Sequence, residues 1–210
     1  AFEIEYQLKG TSKEHLLKEI KQIILDSTFT YVRQRKMLGL GNAILTGEPL
    51  IGNEAFAVIL ADDLCDSKDE GVISNMIKIY NKYQCSVVAI EEINLSLSHQ
   101  YGIIEGNLIK GSNDLYKVTN MVEKPNTKDS PSNMAIIGRY ILTPDIFDTL
   151  KNIKPGIGGE VQITDALNIQ ANKGMVIAYK FKGKRFDCGN VKGYVEATNY
   201  FAKKIGALNS

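Results

Sequence analysis

The sequence has little of what marks the more specialised protein classes. No apolar stretch in its 210 residues approaches bilayer-spanning length, and no basic segment followed by an apolar run stands at its start. A soluble, cytoplasmic chain that is not secreted and has no membrane partner is therefore expected. Charge of one sign is also scarce: 25 Lys and Arg stand against 24 Asp and Glu, a net +1, and no long basic block occurs. A nucleic-acid track has no compositional support, and small-molecule chemistry is favoured by elimination. The three cysteines, Cys65, Cys85 and Cys188, lack the close pairing of a zinc site or redox dithiol and read as free thiols. His15 and His99 are isolated, so neither a catalytic dyad nor a histidine metal cluster is indicated. Repeats, low-complexity tracts and linkers are missing, which points to one domain over 1–210. An initiator Met is missing too, and the start at Ala1-Phe-Glu reads as part of a longer protein.

What is present suits one substantial α/β core: 44% hydrophobic and 23% charged residues. Thr11-Ser-Lys-Glu14 has the form of a capping box, and Leu16, Leu17, Ile20, Ile23 and Ile24 follow at helical spacing, predicting a helix over 12–26. Alternation predicts a strand over Phe29–Gln34, and Gly39-Leu-Gly-Asn-Ala43 turns the chain into a short helix. The apolar run Phe56–Ala61 reads as a buried parallel strand. Val72 to Tyr83 carries a second helical stripe leading into an interior strand at Ser86–Ile90. Short strands are expected around Gly106 and Gly111, then a longer one over Asn133–Leu142. Helices at 145–152, 161–172 and 191–205, with a strand at 175–181, complete the pattern.

Four segments carry possible chemistry. Asp62 and Asp63 follow an apolar strand where open α/β folds place ligands, a seat for a divalent cation holding phosphate oxygens or else the cap of a following helix. Val32-Arg-Gln-Arg-Lys-Met-Leu-Gly-Leu-Gly-Asn-Ala43 suits a base or anion, since Gln34 offers a donor and an acceptor while Gly41 admits a planar ring; it equally describes a glycine-rich turn. Val122-Glu-Lys-Pro125 sets a carboxylate beside an ammonium at a strand end. Adjacent strand residues face opposite ways, so both serve one ligand only where the strand is already turning. Otherwise they form a solvated edge pair. Asp187, in Phe186-Asp-Cys-Gly-Asn190, is either a second metal carboxylate or a helix cap.

Taken in order with Tyr101-Gly-Ile-Ile104, Ser132-Asn-Met-Ala-Ile-Ile-Gly-Arg-Tyr140 and Gly159-Glu-Val-Gln-Ile-Thr-Asp165, these blocks resemble the bacterial UTP–glucose-1-phosphate uridylyltransferase family nearly end to end. The resemblance implies a nucleotide-diphospho-sugar transferase fold: a Rossmann-like mixed α/β sheet flanked by helices, with a small β-rich sugar-binding insertion. It implies UTP and glucose 1-phosphate as substrates, UDP-glucose and pyrophosphate as products, and Mg²⁺ as cofactor. By that pattern Gln34 and Gly41 contact uracil, Asp62 and Asp63 stand on the nucleotide side, and Asp62 with Asp187 binds metal. Gly102, Glu123, Lys124, Asn133 and Ile136 line the sugar site, with Lys124 also facing the phosphates, and Asp62 and Lys124 serve catalysis. Dimers or tetramers are implied as well. The family's first strand and its Gly-x-Gly-Thr-Arg loop occur nowhere in this sequence, which predicts an N-terminally truncated domain with little or no turnover alone. A sugar-nucleotide-binding module without catalysis, a dTTP- or ATP-using relative, and a nucleotide-sugar glycosyltransferase are the alternatives.

Overall fold

The computed structural model describes residues 2–67 and 70–207 and divides into two units, residues 1–33 and 34–210. In the first unit, helices α1 (Phe2–Leu8) and α2 (Leu16–Leu25) are tied by an ion pair between Glu5 and Lys21 at 2.6 Å. The helix expected from residue 12 begins four residues later. Thr11 and Glu14 spend their side chains on the preceding turn, accepting from the N–H groups of Lys13 and Gly10, and so cap no helix. Of the expected apolar stripe Leu17 is buried, Leu16, Ile23 and Ile24 are exposed, and the Ile20 side chain lies outside the described set. The strand expected over Phe29–Gln34 does not form. Its alternation is present, but no described strand pairs with it, and an extended segment becomes a strand only by giving its backbone groups to a neighbour.

The second unit opens with helices α3 (Leu40–Thr46) and α4 (Glu48–Ile51) and strands β1 (Phe56–Ile59) and β2 (Asp63–Ser67). Helix α5 (Val72–Tyr83) then leads to β3 (Ser86–Glu92), followed by β4 (Gly102–Leu108), β5 (Leu115–Glu123) and β6 (Met134–Leu142). Helices α6 (Asp145–Asn152) and α7 (Ile163–Asn172), strands β7 (Val176–Lys180) and β8 (Gly183–Asp187), and helix α8 (Val191–Lys204) complete it. Six strands form a mixed sheet in the order β1-β6-β3-β7-β5-β4, in which β3 and β7 are parallel and the other pairings antiparallel. Strands β2 and β8 pair separately.

Strand β3 is enclosed on both faces, which is why it reads as an unbroken apolar run. Val88 and Ile90 pack with residues of α6 and α7, while Val87 and Ala89 pack with Val72, Met76 and Ile79 of α5. Contrary to expectation, β1 is an antiparallel edge strand, and its burial alternates instead of being complete. The segments around Gly106 and Gly111 form one long hairpin, kinked by a bulge between Glu105 and Gly106. Neither β2 nor β8 stands out in the sequence. Both are short, polar strands whose pairing is long-range.

Candidate active site

A cavity of about 360 Å³ opens where the β1–β2 turn, the start of β4, the end of β5, the middle of β6, the start of α7 and the end of β8 converge. The first wall is acidic. Asp62 sits exposed in the β1–β2 turn, whereas Asp63 begins β2 and is buried. The Asp63 carboxylate is committed to the protein: it pairs with Arg185 and accepts from the Gly138 N–H at 2.6 Å. A Cβ on Gly138 would fall 2.8 Å from that carboxylate and 2.7 Å from Leu60 Cβ, so only glycine fits. Arg139 fastens the same turn by donating to the carbonyls of Leu60 and Asp63. Asp62 is thereby presented from a braced loop.

Asp187 lies directly across from Asp63 in the β2–β8 pairing, and the Cys188 N–H donates to the Asp62 carbonyl at 2.7 Å. The carboxylates of Asp62 and Asp187 both flank Gly189, coming within 3.0 and 3.1 Å of the point a Cβ there would occupy. The structure thus sets Asp62 beside Asp187 and gives Asp63 to Arg185. Asn190, not Asp187, caps α8, accepting from the Gly193 N–H at 2.9 Å. No third His, Cys, Asp or Glu joins the pair among the described residues.

The opposite wall carries Glu123 and Lys124. Strand β5 ends at Glu123, and Lys124 takes the left-handed conformation with φ +45°, its N–H donating to the Tyr101 carbonyl at 3.0 Å. This departure from extended geometry lets two adjacent side chains line one cavity. Glu123 accepts from the Thr164 hydroxyl at 2.6 Å and lies 3.7 Å from the Lys124 ammonium. Gly102, across from Glu123 in the hairpin, has no room for a Cβ, which would meet Thr164 Oγ1 at 2.7 Å and Ile136 Cδ1 at 3.2 Å. Its absent side chain is the space that Thr164 and Glu123 share.

Arg185 joins the two walls. From β8 its buried guanidinium reaches Asp63, Glu91 at 2.7 Å and the Tyr101 hydroxyl at 3.4 Å, and it lies over the Tyr101 ring. Burial works against its charge, but the contacts with Asp63, Tyr101 and Glu91 more than offset this and raise its pKa above the usual arginine range.

The sequence pattern of nucleotidyl transferases matches residues 5–204. The chain belongs to that family. It is 55% identical over 201 residues to the UTP–glucose-1-phosphate uridylyltransferase of Pseudomonas aeruginosa, covering 95% of this chain and 71% of the relative. It superposes on an apo UDP-glucose pyrophosphorylase with a TM-score of 0.90 at 57% identity, covering 97% of this chain and 74% of that one. A UDP-glucose pyrophosphorylase complexed with UDP-glucose gives 0.88 at 56% identity, over 93% and 74% of the two chains. The expected fold class, a mixed α/β sheet flanked by helices, is the one this nucleotidyl transferase adopts.

Within the nucleotidyl transferase cavity the structure brings together Asp62, Asp63, Gly102, Glu123, Lys124, Ile136 and Asp187. Gln34, Gly41 and Asn133 do not line it. Gln34 donates to Asn42 Oδ1 at 2.8 Å and to the Gly39 carbonyl at 3.3 Å, bracing the start of α3. Gly41 is buried against the protein itself, since a Cβ would fall 2.6 Å from the Val161 carbonyl and 2.8 Å from Leu150. Asn133 is exposed, and its carbonyl accepts from the Ile93 N–H at 2.9 Å. Arg185, Thr164, Tyr101 and Tyr140 line the site without having been singled out in the sequence. Thr164 lies in the Gly159–Asp165 block; Arg185 reads as one more surface cation in Lys184-Arg-Phe.

Proposed function

We propose that this nucleotidyl transferase chain carries the sugar-nucleotide site of a UTP–glucose-1-phosphate uridylyltransferase, which forms UDP-glucose and pyrophosphate from UTP and glucose 1-phosphate. One observation carries the reading: an acidic pair and a Glu-Lys pair face one cavity from opposite walls, in a chain whose relatives bear that enzyme's name. The uracil side falls to the segment around α3, where Gln34 braces the helix start and Gly41 packs against Val161, outside the cavity itself. Gly102 and Glu123 serve the hexose hydroxyls, with Ile136 and the backbone from Asn133 completing the sugar side, and Lys124 faces the phosphates. Asp63 contributes to the nucleotide side by bracing the turn that holds Asp62.

Asp62 and Asp187 offer hard carboxylate oxygens and no soft donor, and two carboxylates completed by phosphate and water suit Mg²⁺. When bound there the cation supplies charge neutralisation between two anionic reactants. The chain's own work is positioning: the braced acidic turn and the Lys124 ammonium orient an oxygen of glucose 1-phosphate for in-line attack on the α-phosphorus as pyrophosphate departs. No side chain on these walls needs to form a covalent intermediate. The sequence contains no Gly-x-Gly-Thr-Arg loop to hold the triphosphate, so binding with little or no turnover is expected of these 210 residues alone.

Isothermal titration with UDP-glucose, with and without Mg²⁺, beside a pyrophosphate-release assay, tests the proposal. Mg²⁺-strengthened binding of UDP-glucose is the expected result. Failure to bind it under either condition would remove the assignment, and glucose transfer to an acceptor without pyrophosphate dependence would replace it with a glycosyltransferase.

A further inference from the structure

Gly189 stands in the exposed turn between β8 and α8, where the backbone itself does not call for glycine. Its φ lies outside the left-handed region. Apart from its chain neighbours, the only atoms of described residues that a Cβ would meet closer than 3.8 Å are two carboxylate oxygens, Asp62 Oδ2 at 3.0 Å and Asp187 Oδ1 at 3.1 Å. The crowded glycines on either side of it differ. A Cβ on Gly193 would fall 1.8 Å from the Asp187 carbonyl oxygen, and one on Gly183 would fall 2.2 Å from the Asp66 carbonyl oxygen. Those obstacles are main chain and cannot yield, so Gly183 and Gly193 serve the fold, whereas a side chain at position 189 would displace two carboxylates and leave the backbone in place.

The same turn holds both aspartates. The Cys188 N–H donates to the Asp62 carbonyl at 2.7 Å, and the Gly189 N–H donates to Asp187 Oδ1 at 3.0 Å. One aspartate is thus anchored by its backbone and the other by its side chain, and the absent Cβ is the space their oxygens share. A methyl group there would drive those oxygens back by a few tenths of an ångström. The fold loses little, because each oxygen ends a rotatable side chain. Coordination loses more: Mg²⁺ takes oxygens at about 2.0–2.1 Å in near-ideal octahedral geometry, whereas Ca²⁺ takes them at about 2.3–2.6 Å in flexible arrangements. We propose that Gly189 is a positioning residue that sets the spacing of Asp62 and Asp187, and that this spacing favours Mg²⁺ over a larger divalent cation. The inference deepens the uridylyltransferase reading and rests on it.

Gly189→Ala adds the methyl group and keeps the backbone N–H. Isothermal titration of the full chain and the variant with UDP-glucose, in Mg²⁺, in Ca²⁺ and free of metal, reads the role. Without a cation the two proteins should bind UDP-glucose alike. The apparent Mg²⁺ affinity of the UDP-glucose complex should fall roughly 10–100-fold in the variant, the loss that follows when the groups orienting a metal ligand are altered, and the Ca²⁺ affinity should fall clearly less. The melting temperature should hold or rise slightly, because alanine at a compatible φ narrows the unfolded ensemble. An unaltered Mg²⁺ affinity would overturn the spacing role, and equal losses for the two cations would overturn the selectivity. A drop of many degrees together with lost metal-free binding would reveal a glycine needed only by the fold and overturn the inference too. A wild-type chain that binds UDP-glucose without regard to Mg²⁺ would overturn the cation site and this inference with it, whereas one that ignores UDP-glucose would overturn the uridylyltransferase reading beneath it.

Discussion

The two ends of β3 bury polar groups in opposite styles. At its start, Ser86 donates to Gln170 Oε1 at 2.8 Å, and the Gln170 amide donates to Asp145 at 2.9 Å and to Thr143 at 3.1 Å, a neutral-centred knot behind the sheet. Near its end, Glu91 meets Arg185, which also holds Asp63 and Tyr101, a charged knot that borders the cavity. Helix α7 spans the same interval in reverse, with Thr164 facing the cavity and Gln170 closing the far knot. Buried polarity alone therefore says little about function. The informative difference is that one knot is complete within the protein, while the other borders groups, Asp62, Lys124 and Tyr140, that face the cavity.

The sharpest test of that difference is Arg185→Met. It leaves Asp63 and Glu91 without their cation, and breaking a buried pair in this way costs about 3–5 kcal/mol. Denaturant unfolding should show this loss, with UDP-glucose binding lost alongside it; a near-normal midpoint would mean that the charged knot does not hold the fold. Gln170→Leu should cost less, about 1–3 kcal/mol for its lost hydrogen bonds to Ser86, Thr143 and Asp145, and leave UDP-glucose affinity untouched in the folded fraction. Weakened binding there would erase the distinction between the two knots. Asp62→Asn should change stability least, by under about 0.5 kcal/mol, since the side chain is exposed. Its effect belongs to the ligand: titration should lose the Mg²⁺-dependent part of UDP-glucose binding, and an undiminished response to Mg²⁺ would take Asp62 out of the cation site.

Much of this is written locally and some of it is not. The buried run Val87–Ile90, the stripe of α5 and the carboxylate after β1 are all readable, because each depends on near neighbours in sequence. The strand at Phe29–Gln34 misleads for the converse reason: alternation is local, but pairing is not. Asp62 and Asp63 look equivalent in the sequence and differ only once β8 arrives from residue 183 onward to claim one of them. Gln170 carries no signal at all, being one polar residue among helix formers whose partners lie 25, 27 and 84 positions away. The Glu123-Lys124 doublet is visible, but the backbone turn that makes both members useful is not.

That turn has a consequence for how the protein can change. A lysine in the left-handed region gives up roughly 1–2 kcal/mol of folding stability that a glycine would recover. The easiest stabilising replacement at position 124 is therefore also one that deletes the ammonium, so selection for sturdiness and selection for chemistry pull on this residue in opposite directions.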